Sequence, residues 1–257
     1  MNSNLKELIF DIGMYDGSDT RYYLNEGFRV LAIEANPVLV KRARELIFQE
    51  EIKNGELIIL NYAIAGKTTE NVTLAINATD PGSSTIYHKG NPRSYNYGTF
   101  SVKGITINEL FDEYGIPYYL KVDIEGADEL CVLGLNKIKK PQFLSFEVYD
   151  YNIISLLNYI ESIGYTKFKL INQINFREIS NQNNVYDKIS DKIIRRLGYK
   201  YPKYVRRNGR FFLIGHSSGP APWNSDGKWQ SAKDLLIKWK KEFGSHNFKG
   251  WYDLQAM

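Results

Sequence analysis

The stretch Leu8-Ile9-Phe10-Asp11-Ile12-Gly13-Met14-Tyr15-Asp16-Gly17 constrains this chain more than any other part of it. An apolar run ends in an acid, two glycines follow four positions apart, and Ser18 then offers a helix cap. A buried strand turns into a helix this way while leaving its backbone bare for a ligand. Glu34 ends the next apolar run, roughly twenty residues on. A glycine turn with an acid at that distance is the general arrangement of a nucleoside-binding α/β fold.

The rest of the chain keeps the same rhythm. Buried strands are expected over residues 7–12, 28–33, 57–64, 118–123, 143–148, 165–172 and 210–215, with an additional half-exposed strand over 72–76. Helices are expected over 18–26, 38–51 (after Pro37 at the first turn), 106–114, 127–135, 151–163 and 232–243. Residues 80–100, rich in Gly, Pro, Asn, Ser and Tyr, read as a loop. Alternating strand and helix implies a Rossmann-like, mostly parallel, doubly wound sheet with ligands beyond the carboxyl ends of its strands.

At 257 residues and 43% hydrophobic content, the chain reads as one domain, 1–257. Its core covers 6–175 and 208–216, a basic and aromatic insertion 176–207 precedes the last strand, and a helical tail covers 217–257. Net charge is +4, which forces no nucleic-acid reading. Cys131 is the only cysteine, so no intramolecular disulfide can form. With no leader or membrane span in the pattern, a cytoplasmic location is expected.

Three strand ends carry the chemistry. Asp11 before the glycine turn would repel a pyrophosphate but suits a ligand bearing an ammonium or sulfonium, which favours S-adenosylmethionine over NAD. Glu34, in Ala32-Ile33-Glu34-Ala35-Asn36-Pro37, can accept both hydroxyls of a ribose. In Lys121-Val122-Asp123-Ile124-Glu125-Gly126, charges follow an apolar run, so they point into the site or pair with one another. Glu147 ends the fifth strand. Asp123 and Glu147 on neighbouring strand ends can act as acid and base, or hold a divalent cation such as Mg2+. His88, in the tyrosine-rich loop, is a further candidate base.

These motifs, with Asn61-Tyr62-Ala63-Ile64, Gly82-Ser83-Ser84, Ile105 to Leu110 and Ser145 to Val148, occur in the order seen in the FkbM family of S-adenosylmethionine-dependent methyltransferases, which the chain resembles over roughly residues 6–175. The Lys121 to Ala127 block is the most family-specific piece. The resemblance implies a seven-stranded class I methyltransferase sheet and methyl transfer to oxygen, typically a hydroxyl of a sugar, glycan or natural product. It also implies that Asp11, Gly13 and Gly17, with Tyr15 between them, line the methionine part of the donor. Glu34 with Ala35 would hold the ribose, and Asn61 to Ala63 the adenine edge.

Between Lys188 and Arg210 lie nine basic residues and one acid, Asp191, interleaved with Tyr199, Tyr201 and Tyr204. A solvated lid or a homodimer contact is the plainer reading of this segment. An anionic partner such as a phosphorylated sugar, a nucleotide sugar or RNA is the sharper one. Two rival functions stay open at this point: a nucleotide-sugar-binding enzyme without methyl transfer, and an RNA-binding methyltransferase that uses this basic segment.

Overall fold

The structure, a computed structural model, describes residues 6–76, 84, 86, 99–179, 204–243 and 251–257. The chain divides into two units, residues 1–142 and 143–257. The first runs β1 (Leu8–Ile12), α1 (Ser18–Asn25), β2 (Arg29–Ile33), α2 (Pro37–Arg42), a π-helical turn (Ala43–Ile47) and α3 (Gln49–Lys53). It continues with β3 (Leu57–Leu60), β4 (Ala63–Ile64), β5 (Thr69–Ala75), β6 (Thr99–Ile105), α4 (Ile107–Tyr114), β7 (Tyr119–Val122) and α5 (Asp128–Gly134).

Within this unit β3, β2, β1 and β7 lie side by side, and every neighbouring pair is parallel. Phe10 sits in register with Leu31 on one side and Leu120 on the other. Strands covered on both faces read as unbroken apolar runs, and Phe10, Leu31 and Leu120 are all fully buried. A parallel order places every carboxyl end, and so every candidate site residue of these strands, at one edge.

Each connection has a local cause. Gly17, at φ +86°, is the residue before α1 and supplies no side-chain cap; the amide of Ser18 instead donates to Asp16 Oδ1 at 3.0 Å. The cap therefore lies two residues before Ser18, where the sequence reading had placed it. Asn36 accepts from the Val38 amide at 3.0 Å, and Pro37 takes the first position of α2. The helix expected over 38–51 is broken by the π turn, which closes when the Phe48 amide reaches Ala43 O at 2.9 Å. That extra residue per turn aims Phe48, fully buried, at Gly17.

The strand expected over 57–64 also breaks. Asn61 Nδ2 donates to Glu34 O and Ala35 O at 2.9 and 3.0 Å, which anchors the chain between β3 and β4. β4 then joins a separate three-stranded sheet in the order β4-β6-β5. Its β5 is the additional strand of the sequence reading. Thr106 begins α4 with a reciprocal pair of hydrogen bonds to Glu109.

The second unit holds β8 (Phe143–Val148), α6 (Ile153–Ser162), β9 (Phe168–Asn172), β10 (Tyr204–Arg207), β11 (Arg210–Leu213), α7 (Ala232–Phe243) and β12 (Tyr252–Ala256). β12 lies between β8 and β9, antiparallel to both. This corrects two expectations. Residues 210–215 do not supply the last sheet strand, because β11 pairs with β10 in a two-stranded hairpin. The tail is not wholly helical, because it ends in β12. The strands of the two units, four and three, bring the number to the expected seven.

β12 hides its role because its alternate residues are polar. Gln255 is 1% exposed and accepts a hydrogen bond from Ser225 Oγ at 2.6 Å. In register with it on β9, Lys169 donates to Ser225 Oγ and to the carbonyls of Pro222 and Ser225. Trp229 lies 4.3 Å from the same ammonium, and burial lowers its pKa to about 8. Trp223 and Trp229 pack on Phe143.

Deleting residues 252–257 leaves β8 and β9 with no strand between them. The truncated chain should lose cooperative melting, read by near-ultraviolet circular dichroism and limited proteolysis of the second unit. A truncated chain that melts like the full one would contradict this account.

Candidate functional site

A buried lysine organises the first unit. Lys121, on β7, is 3% exposed, and three carboxylates converge on its ammonium. Asp11 of β1 lies at 3.2 Å, Asp19 of α1 at 3.7 Å, and Asp123, just past β7, at 3.7 Å. The ammonium also donates to Gly13 O at 2.9 Å. Burial alone would lower the lysine pKa; Asp11, Asp123 and Asp19 together outweigh it and hold the pKa well above the ordinary value. Asp11, fully buried, accepts in turn from Thr20 Oγ1 at 2.6 Å.

Above this cluster the glycine turn closes against β7. Gly13 has φ +84°, and a Cβ built there would sit 1.8 Å from the carbonyl oxygen of Asp123. Glycine is needed at this point because two backbones touch. The amides of Gly13 and Met14 both donate to Ile33 O, which ties the turn to β2. Gly17 has a different reason: its Cβ would meet the Phe48 ring at 2.5 Å.

Glu34, just past β2, is held from both sides. Oε2 accepts from the Tyr15 amide at 2.9 Å, and Oε1 accepts from the Asn36 amide at 2.8 Å. A carboxylate has about four acceptor positions, so roughly two remain to meet a pair of hydroxyls. Burial raises the pKa of Glu34, while the amides of Asn36 and Tyr15 and the charge of Lys121 pull it down without cancelling the rise. Tyr15 presents its amide by taking φ +51°, a conformation that costs a non-glycine residue energy.

Gly13, Tyr15, Glu34, Ala35, Ala63 and Asp123 line one cavity, with about 570 Å³ of space, part of it open to solvent. Six expected site residues therefore come together. Ile64, Leu74 and Ile86 give it an apolar wall, and Ile33, Tyr62, Ser84, Ile124, Glu125 and Ala127 complete it. Ile64 and Leu74 come from the small β4-β6-β5 sheet, where Ala63, Leu74 and Val102 form a core against which Ala35 and Ile86 pack. Apolar residues in short strands carry no chemical signal in a sequence, so this wall was not foreseeable residue by residue.

Other expected site residues sit elsewhere. Asp11 lies behind the cavity, its carboxylate turned to Thr20 and Lys121, and Gly17 packs on Phe48. Asn61 braces Glu34 and Ala35 through their carbonyls. Glu147 stands on β8 of the second unit, 7% exposed, and accepts from the Tyr149 hydroxyl at 2.6 Å; Asp253 is its register partner on β12. His88 and most of the basic segment lie outside the described residues. The expected Mg2+ site at Asp123 and Glu147 finds no support: among the described residues no group of three or more His, Cys, Asp or Glu could hold a metal ion. Cys131 is buried, and burial pushes its thiol pKa well up.

A glycine turn, a braced acid at the second strand end and the Lys121 block occupy one stretch of sequence, and a family model described as the methyltransferase FkbM domain matches it, over residues 11–201. The chain belongs to this family.

No curated protein sequence matches the FkbM chain. Among solved structures, precorrin-6y C5,15-methyltransferase from Geobacter metallireducens is 10% identical with a TM-score of 0.39, covering 98% of this chain and 80% of that one. A precorrin-8w decarboxylase from Methanobacterium thermoautotrophicum is 8% identical with a TM-score of 0.39, covering 98% and 82%. Phosphoethanolamine N-methyltransferase 2 of Haemonchus contortus, in complex with S-adenosyl-L-methionine, is 9% identical with a TM-score of 0.37, covering 100% and 49%. Among the described residues no helix is long and apolar enough to cross a membrane.

Two substitutions in the FkbM domain test the geometry beneath the cavity. Gly13→Ala should destabilise by on the order of 3 kcal/mol or more, because strain and a backbone clash add. Gly27→Ala, at φ +89° with nothing within 4 Å of a Cβ, should cost only about 1–2 kcal/mol. Denaturant unfolding of the two variants reads the difference.

Lys121→Met leaves Asp11 and Asp19 buried without their counter-ion and should cost about 3–5 kcal/mol at neutral pH. Equilibrium unfolding in denaturant at neutral pH reads the loss.

Proposed function

We propose that this FkbM domain is an S-adenosylmethionine-dependent O-methyltransferase acting on a hydroxyl of a sugar, glycan or natural product. Glu34 carries the reading: its carboxylate has both oxygens braced by backbone amides and still faces a cavity beside a bare glycine turn. Such a group suits the two hydroxyls of a ribose. The Gly13 turn would receive the chain beyond the ribose, and Tyr62, Ile64, Leu74 and Ile86 would flank the adenine. Beneath the cavity, carboxylates outnumber the Lys121 ammonium, which suits a cationic ligand over a pyrophosphate.

The bound donor supplies an electrophilic methyl group: the acceptor oxygen forms a bond to that carbon as the carbon–sulfur bond breaks, releasing S-adenosylhomocysteine. The chain must hold the acceptor in line and take its hydroxyl proton. Asp123, in the cavity and fixed by Lys121, is the proposed group for that proton. Glu147 and His88 are the alternative groups for that role and are separable by substitution. Turnover in Asp123→Asn, Glu147→Gln and His88→Ala should fall by roughly 100-fold or more for whichever group accepts the proton, with donor affinity unchanged.

Donor binding gives the primary test. Calorimetry should detect S-adenosylmethionine and S-adenosylhomocysteine binding, and its failure would remove the reading. Ribose hydroxyls donate to the ionised form of Glu34, whose pKa burial raises. Binding should therefore release a proton and tighten as pH rises through the upper carboxylate range, then level off. Glu34→Gln should bind roughly 10-fold more weakly and lose that pH dependence.

A further inference from the structure

After β7 the chain makes a tight turn over residues 124–127. Its two central residues, Glu125 and Gly126, have φ +50° and +87°, and the Ala127 amide reaches back toward Ile124 O at 3.4 Å. Turns with two positive φ values favour glycine, asparagine and aspartate at both central positions. Gly126 obeys this rule and Glu125 breaks it. A glutamate gains nothing locally from the left-handed region, since its longer side chain lacks the short-range hydrogen bonding that eases asparagine and aspartate into it. Four described non-glycine residues have positive φ, and two of them, Tyr15 and Glu125, line the cavity. The strain at Tyr15 has a visible use, since it aims an amide at Glu34.

The cavity needs a partner for a cation if it takes the proposed donor, because the methionyl part carries an ammonium group. Asp11, the family-based expectation for that part of the ligand, is fully buried, and its oxygens face Thr20 and Lys121. Asp123 lines the cavity, but its Oδ2 already faces the Lys121 ammonium at 3.7 Å. A second ammonium on Asp123 would set two cations against one carboxylate. Glu125 lies two residues further along the same wall.

We infer that Glu125, and not Asp11, binds the α-ammonium group of the donor's methionyl part. The strained turn is then retained because it holds this carboxylate at the cavity while Gly126 relieves the next position. Asp11 acts at one remove, through Lys121. This inference rests on the cavity taking S-adenosylmethionine, and the following test separates the two.

Three ligands are measured by calorimetry: S-adenosylmethionine, S-adenosylhomocysteine and 5′-methylthioadenosine, which keeps the adenosine and the sulfur but has no amino-acid part. If the wild-type protein binds none of them, the donor reading itself fails. Glu125→Gln keeps the shape and removes the charge. It should weaken S-adenosylmethionine and S-adenosylhomocysteine by roughly 10- to 100-fold and leave methylthioadenosine within about 2-fold. Equal loss for all three ligands would overturn the assignment, because the substitution would then have damaged the adenosine site, and so would no loss for any. Glu125→Asn suits the turn but shortens the reach. It should raise the melting temperature while weakening S-adenosylhomocysteine as Glu125→Gln does; a raised melting temperature with wild-type affinity would also overturn the inference.

Discussion

The ammonium of Lys121 binds together parts of the first unit that are far apart in sequence. It is placed by β7, and its partners are Asp11 from β1, Asp19 from α1, Asp123 from the exit of β7 and the carbonyl of Gly13. A charge so buried is tolerated only because several opposite charges and a carbonyl meet it at once. The same requirement fixes the relative positions of the glycine turn, the first helix and the strand that borders the cavity. Apolar packing in place of the cluster would leave no fixed charge beneath the cavity.

From that centre two backbone contacts set the cavity's rim. Gly13 lies against the carbonyl of Asp123, and the Tyr15 amide braces Glu34. Both depend on residues with positive φ, one a glycine and one not. The rim therefore carries conformational strain where the ligand is expected and little elsewhere in the parallel strands. Strain there is compatible with a stable domain because the fully buried neighbours Phe10, Leu31 and Leu120 hold the strands in register.

How far the sequence could be read follows from which forces leave a local trace. β1, β2, β7 and β8 were legible because a strand covered on both faces is mostly apolar, and the charges of Asp11, Lys121 and Glu147 fall late in their runs. The glycine turn was legible because few residue types take its backbone angles, and Glu34 because an acid closes an apolar run. β12 was not, since Asp253 and Gln255 look like solvated tail residues until Ser225 and the neighbouring strands are in place. β6 was hidden by its exposed first residues and by Gly104. The break at Asn61 rests on hydrogen bonds to residues 26 and 27 positions away, which no window of sequence contains. Asp11 shows the limit most clearly. Its charge was expected to face a ligand, but sequence cannot say whether a carboxylate faces a cavity or a lysine behind it, and here it faces Lys121 and Thr20.

The break at Asn61 also links Glu34 to the apolar wall of the cavity. One side chain holds the carbonyls of Glu34 and Ala35, and the chain then leaves the parallel strands to start β4 in the small sheet. Leu74 comes from β5, and Ile86 packs against the core of that sheet, so this side of the cavity depends on the small sheet rather than on the parallel strands. The Lys121 cluster gives one side of the cavity a fixed frame. The shape of what lies opposite the donor depends instead on three short strands with a small core of their own. Changes in Leu74 or Val102 should thus reshape the cavity wall without disturbing Glu34, because Asn61 pins the first residues of the connection before the small sheet begins.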